Sequence, residues 1–140
     1  MSRFVRWNPI PDLPAMFEDA SLEDGPRGLV VLLHHKDKRV LRCSFPVVPA
    51  YRCTMEECLV ELWQHLLHQT GGYGTCWTVR DSFWIKEFSS IDFRHYPDPT
   101  HYFFSTAYRC VDVLSHKPPL VEWLNMNDKS LLARRNADRK

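Results

Sequence analysis

No apolar run in this chain approaches the roughly 20 residues that a membrane-spanning helix requires. The longest, Leu29–Leu33, stops after one strand's worth of side chains. The start, Met1-Ser-Arg-Phe-Val-Arg, leads into a polar segment containing proline, so no secretory leader is expected. No two cysteines have CxxC spacing. The five present (Cys43, Cys53, Cys58, Cys76 and Cys110) are an odd number, which argues against a disulfide framework. They are expected to be reduced and mostly buried, as small apolar side chains of a cytoplasmic protein. Neither sign of charge dominates: the formal net of +1 gives no field to gather nucleic acid or an anionic membrane. The sequence also shows no serine elbow, paired-carboxylate site, nucleotide fingerprint, internal repeat or low-complexity tract. These absences move the expectation from catalysis toward binding.

What is present suits one folded domain. The 140 residues are 44% hydrophobic and 25% charged, and aromatics reach 13%, with five Trp and eight Phe. Large side chains of this kind stabilise a core by roughly 1.5–3 kcal/mol each when buried. Charge is unevenly placed. Glu18, Asp19, Glu23 and Asp24 form an acidic segment, and the last sixteen residues carry an excess of three positive charges.

Periodicity and turn residues divide the chain. Residues 1–27, with Pro9, Pro11, Pro14 and Pro26, read as an N-terminal arm that packs Phe4, Trp7 and Phe17 on the body. Residues 28–124 read as a single α+β domain, and 125–140 as a polar basic tail. Gly28–His35 and Val40–Phe45 form a hairpin around Lys36-Asp37-Lys38. A short strand over Val47–Cys53 is interrupted by Pro49. The spacing then predicts a helix over 55–69. Thr54-Met55-Glu56-Glu57 supplies its capping box, Leu59, Leu62, Trp63, Leu66 and Leu67 its apolar face, and Gly71-Gly72-Tyr73-Gly74 its stop. Thr75–Arg80 is a strand. Asp81 or Ser82 caps a shorter, largely buried helix through about Phe88. Two strands, His101–Ala107 and Cys110–Ser115, make a final hairpin, and Leu120–Leu124 docks on the body through Trp123. The expected fold is α+β: an antiparallel sheet of five or six strands with one longer and one shorter helix packed on it.

Few polar groups converge in the sequence. Glu61, His65 and His68 share one helix face, but a hydrolytic zinc helix needs two His at i, i+4, so a solvated face is expected and no metal. His34 and His35 alternate across a strand and point to opposite faces. Cys110 and His101 could meet across the last hairpin with Asp112 beside them, yet nothing supplies an oxyanion hole, and ordinary strand residues are expected. The glycines at 71–74 follow a helix, whereas phosphate loops precede one. The arginines of the tail have no aromatic neighbours for base stacking, so nucleic acid is not an expected partner.

The run Val79-Arg80-Asp81-Ser82-Phe83-Trp84-Ile85-Lys86-Glu87-Phe88 is followed by His101-Tyr102-Phe103-Phe104-Ser105-Thr106, Cys110-Val111-Asp112-Val113-Leu114-Ser115 and Pro118-Pro119. This pattern resembles that of small bacterial proteins similar to the immunity proteins that accompany polymorphic and contact-dependent toxins, over residues 28–122. The resemblance implies a cytoplasmic, non-enzymatic inhibitor that binds a cognate toxin or effector directly, with no cofactor. It brings no catalytic residues. The contact residues expected from the side chains themselves are Glu57, Glu61, His65 and His68 on the helix and Tyr96, Asp98 and Tyr108 on loops, tyrosine being favoured at interfaces. Two alternatives stand beside this. One is a small enzyme or metal-binding protein using Cys110, His101 and Asp112, or Glu61, His65 and His68. The other is a structural subunit that self-associates through an apolar patch.

Overall fold

The computed structural model describes residues 2–71, 74–89 and 92–124. The basic tail expected over 125–140 lies outside the described residues. Among these residues the chain forms nine strands: β1 (Arg3–Arg6), β2 (Asp19–Gly25), β3 (Gly28–His34), β4 (Val40–Phe45), β5 (Ala50–Met55), β6 (Cys76–Arg80), β7 (Thr100–Ser105), β8 (Arg109–Ser115) and β9 (Leu120–Trp123). One helix of eleven residues, α1 (Val60–Thr70), joins β5 to β6, and a four-residue helix, α2 (Phe83–Lys86), follows β6. The strands build a five-stranded sheet in the order β1-β6-β7-β8-β5 and a four-stranded sheet in the order β2-β3-β4-β9. Every pairing is antiparallel. No described helix is long and apolar enough to cross a membrane.

Period-two alternation explains the layers. Leu29, Val31 and Leu33 of β3 and Leu41, Cys43 and Phe45 of β4 meet Tyr102 and Phe104 of β7 and Val111 and Val113 of β8 in one core between the sheets. The alternate residues of the larger sheet, Trp77, Val79, Phe103 and Cys110, point away from that core. They are covered by Leu59, Leu62, Trp63 and Leu66 at and along α1. Central strands β7 and β8 are therefore buried on both faces, apart from the exposed residue that opens each. The proline-rich segment between β1 and β2 carries Trp7, Ile10, Leu13 and Phe17 into the inter-sheet core.

The expected helix-packed α+β sheet is corrected by this architecture. The described residues are 44% strand and 15% helix, in two antiparallel sheets with one substantial helix. Three strands, β1, β2 and β9, were not expected, and all three lie at sheet edges. Edge strands often carry charge because unpaired backbone must not recruit other chains, and Arg3 and Arg6 in β1 and Asp19, Glu23 and Asp24 in β2 mask the alternation there. Thus the segment expected as an arm contributes a strand to each sheet.

The helix also starts later than expected. Thr54 pairs with Cys110 inside the β5–β8 ladder, which holds it in strand conformation and removes it from the cap. A single 3-10 turn over Glu56–Cys58 follows, and α1 begins after Leu59 with no side-chain cap. Its end is as expected: Gly71 takes the left-handed conformation, with φ 68°, and its N–H returns to the Leu67 carbonyl. Gly28 is the other demanding glycine. Its φ is 107°, and a Cβ there would run into the carbonyl oxygens of Phe45 and Pro46.

Candidate functional site

The outward face of β7 and β8 carries polar residues where apolar ones would be ordinary, among them His101 and Asp112. His101 lies opposite Leu114 and Asp112 opposite Phe103, so the two are diagonal neighbours on one face. Arg52 of β5 is directly opposite Asp112. The pleat thus lines up imidazole, carboxylate and guanidinium across three strands. The His101 Nε2 lies 2.6 Å from Asp112 Oδ1, and Arg52 Nε donates to Asp112 Oδ2 at 3.1 Å. Arg52 also stacks on the Trp84 ring at 4.4 Å, and Trp84 meets the His101 ring edge-on at 5.3 Å.

The far end of this line is Ser82. Strand β6 ends at Arg80; Asp81 follows with φ 53°, and the chain then turns directly into α2. Ser82 is the N-cap of that helix; its Oγ accepts the Ile85 N–H at 3.1 Å and lies 2.7 Å from His101 Nδ1. Ser82, His101 and Asp112 are 4%, 5% and 5% exposed. The partners define the tautomer. With Arg52 on one carboxylate oxygen, His101 Nε2–H donates to the other, and Nδ1 is left to accept the Ser82 hydroxyl hydrogen. A buried polar chain of this kind is stable only when every member is satisfied, and each of these is.

Two hollows flank the line. A cavity of about 360 Å³ lies between α1, β1 and α2, walled by Phe4, Leu62, Phe83 and Trp84, with Arg52, Glu61, His65, His101 and Asp112 supplying the polar groups. A second, open cleft of about 560 Å³ lies on the β6–α2 side, where Ser82 and His101 meet Arg80, Lys86 and Thr100. His101 lines both, so the imidazole is a shared wall. On the other flank of α1 a groove of about 340 Å³ is lined by Met16, Trp63, Val60 and Leu67 and edged by Glu56 and Glu57.

These positions divide the residues expected from sequence. Glu61 and His65 reach the cavity beside Asp112 and His101. Glu57 edges the groove on the opposite flank. Tyr108, 58% exposed, tips the β7–β8 hairpin, where its N–H bonds the Glu18 carbonyl. Tyr96 is half-buried against the His116 ring, Asp98 is exposed with φ 51°, and exposed His68 lines none of these hollows. The seven are not one patch. Glu61, His65 and His68 are not drawn together around a metal position, and no group of three or more metal-ligating side chains occurs among the described residues.

His101 and Asp112 do meet, but Cys110 does not join them. It pairs with Ser105, four positions from His101 and so roughly 13 Å along the strand. Burial under α1 pushes its thiol up to about 12, which leaves it protonated and unreactive. The second helix also departs from expectation: Trp84 is buried, but Phe83 is 56% exposed at the cavity mouth. Ser82 and Arg52 are the site residues that sequence reasoning missed. The signal available for Ser82 was its place as a cap directly before an aromatic helix, and for Arg52 its register opposite Asp112. No family model, curated protein or solved structure matches this chain.

Proposed function

We propose that this protein is a binding module of the immunity type, which neutralises a toxin or effector by occupying it directly. The observation that supports this reading is the outward face of α1. Val60 and Leu67, 60% and 40% exposed, stand two turns apart on a helix whose neighbouring Met55 and Tyr108 are also exposed, at 48% and 58%. Trp63 forms the half-buried floor between them. Helices normally turn such residues inward. An apolar strip with an aromatic floor and a polar rim has the anatomy of an interface core.

The rim commits the partner's chemistry. Glu56 and Glu57 edge the groove, and the nearby cation Arg109 is taken by Asp19 in a two-point pair at 3.0 and 2.7 Å. The acidic excess favours a basic partner segment that inserts an apolar side chain over Trp63. Glu57 and Tyr108 are then contacts of this face.

The decisive experiment uses the product of the adjoining gene. The wild-type chain forms a one-to-one complex with it and protects cells that express it. The double variant V60D/L67D loses affinity by about a hundredfold or more, as two central apolar contacts would require. A wild-type chain that neither binds nor protects sinks the proposal. Sedimentation at two concentrations separates it from self-association, in which V60D/L67D would dissolve a homodimer.

A further inference from the structure

We propose that Ser82 is an acyl-transfer nucleophile, activated by His101, and that the open cleft on the β6–α2 side takes a small ester bearing an anionic group. This site is independent of the α1 face, and the two proposals can fail separately.

Four observations carry it. The hydroxyl, imidazole and carboxylate form a continuous line with steps of 2.7 and 2.6 Å. That is the spacing a nucleophile, a general base and an orienting group require. The carboxylate is itself anchored by Arg52 Nε, so the imidazole is held in one tautomer and orientation. Ser82 is presented at an abrupt strand-to-helix corner, immediately after a non-glycine residue with φ 53°. Backbone in this region is uncommon and is retained where the surroundings demand it. Finally, Ser82 and His101 both open onto the same cleft, and that cleft carries cations. Arg80 and Lys86 line it, while its one carboxylate, Asp81, is compensated by Arg3 at 3.5 Å. Cations beside a reacting carbonyl stabilise the oxyanion that forms and favour a substrate with its own negative charge.

The chemistry closes without a cofactor. The Ser82 hydroxyl passes its proton to His101 Nδ1 as Oγ bonds the ester carbonyl carbon. The imidazolium so formed faces the Asp112 carboxylate. The carbonyl–oxygen bond to the alcohol then breaks, and His101 returns the proton to the departing oxygen. Water repeats the sequence on the acyl-serine: one proton goes to Nδ1, hydroxide adds to the carbonyl carbon, and the bond to Oγ breaks as that oxygen regains a proton. The products are an alcohol and a carboxylic acid. Ser82 and His101 are the catalytic residues; Asp112 and Arg52 are positioning residues.

The test uses the full chain with two probes, an alkyl fluorophosphonate and the p-nitrophenyl esters of acetate and succinate. The fluorophosphonate is expected to add once, with the adduct on the peptide that contains Ser82. The succinate ester is expected to turn over about tenfold faster in kcat/KM than the acetate ester. S82A is expected to lose the adduct and at least about a hundredfold in rate. Because S82A also removes a helix cap, H101Q serves as the second variant: it keeps a hydrogen-bonding side chain but cannot carry the proton, and it too loses the rate while its circular dichroism is unchanged. D112N keeps the shape but removes the charge that faces the imidazolium; it is expected to lower kcat about tenfold or more with KM unchanged, a split that a purely structural role would not produce. No adduct on Ser82 in the wild type, or turnover that persists at the wild-type rate in S82A, overturns the assignment. A faster acetate ester overturns the anionic class.

Discussion

Asp112 stands between two donors of unequal standing. His101 is as buried as the carboxylate it touches, whereas the Arg52 side chain is 44% exposed and can turn to water. Replacing Asp112 with Ala strands a buried N–H and is expected to lower stability by about 1.5–3 kcal/mol. Replacing Arg52 with Ala removes only a half-solvated partner and should cost about 1 kcal/mol or less. Urea midpoints of the two variants measure the difference, and equal losses would contradict the unequal roles. At this scale the sequence was half legible. Strand alternation placed His101 and Asp112 on one face, because a period of two depends only on spacing. It could not say that Cys110 sits too far along the same face. Nor could it bring Ser82 in, because the corner that delivers it belongs to β6 and α2, nineteen residues away in the chain.

The elements differ in how much of their form is local. Both ends of the β3–β4 hairpin and the stop of α1 follow from turn chemistry, and they fall within a residue of where the sequence puts them. The start of α1 does not, since Thr54 offers a cap but the β5–β8 ladder claims its backbone. Non-local pairing outweighs a local signal worth about 1 kcal/mol. Gly28 and Gly71, both at positive φ, provide a graded test. At Gly71 an added Cβ meets nothing within 4 Å, so Gly71→Ala pays only the left-handed conformation, about 1 kcal/mol. At Gly28 the φ of 107° is joined by collision with the backbone of Phe45 and Pro46. Gly28→Ala is expected to be several-fold more damaging in thermal melting. Similar losses would show that the β3–β4 contact gives way easily.

For the whole molecule, a single sheet was expected and two were found, because the evidence for the second lay in pairings the sequence does not display. Strand β9 joins β4 across nearly eighty residues, and β1 joins β6 across a similar span. The five cysteines sample the resulting layers. Cys43 and Cys76 lie between the sheets, Cys110 lies beneath α1, and Cys53 and Cys58 are exposed. A chromogenic disulfide reagent should therefore titrate two thiols in the native protein and all five after denaturation. Early reaction of a third would mean that one layer opens. Burial raises the thiols of Cys76 and Cys110 from an ordinary 9.0 to about 12. Their contribution to stability is complete below pH 9 and fades as pH rises toward 12, since only the unfolded chain ionises over that interval. The expected signature is a urea midpoint that declines with alkali, and that declines less when Cys110 is replaced by Ala.

One imidazole borders two hollows at once. His101 gives a nitrogen to each neighbour, so it cannot lean toward one without loosening its hold on the other. A substitution at His101 is therefore expected to alter both hollows together, whereas one at Lys86 reaches the open cleft alone.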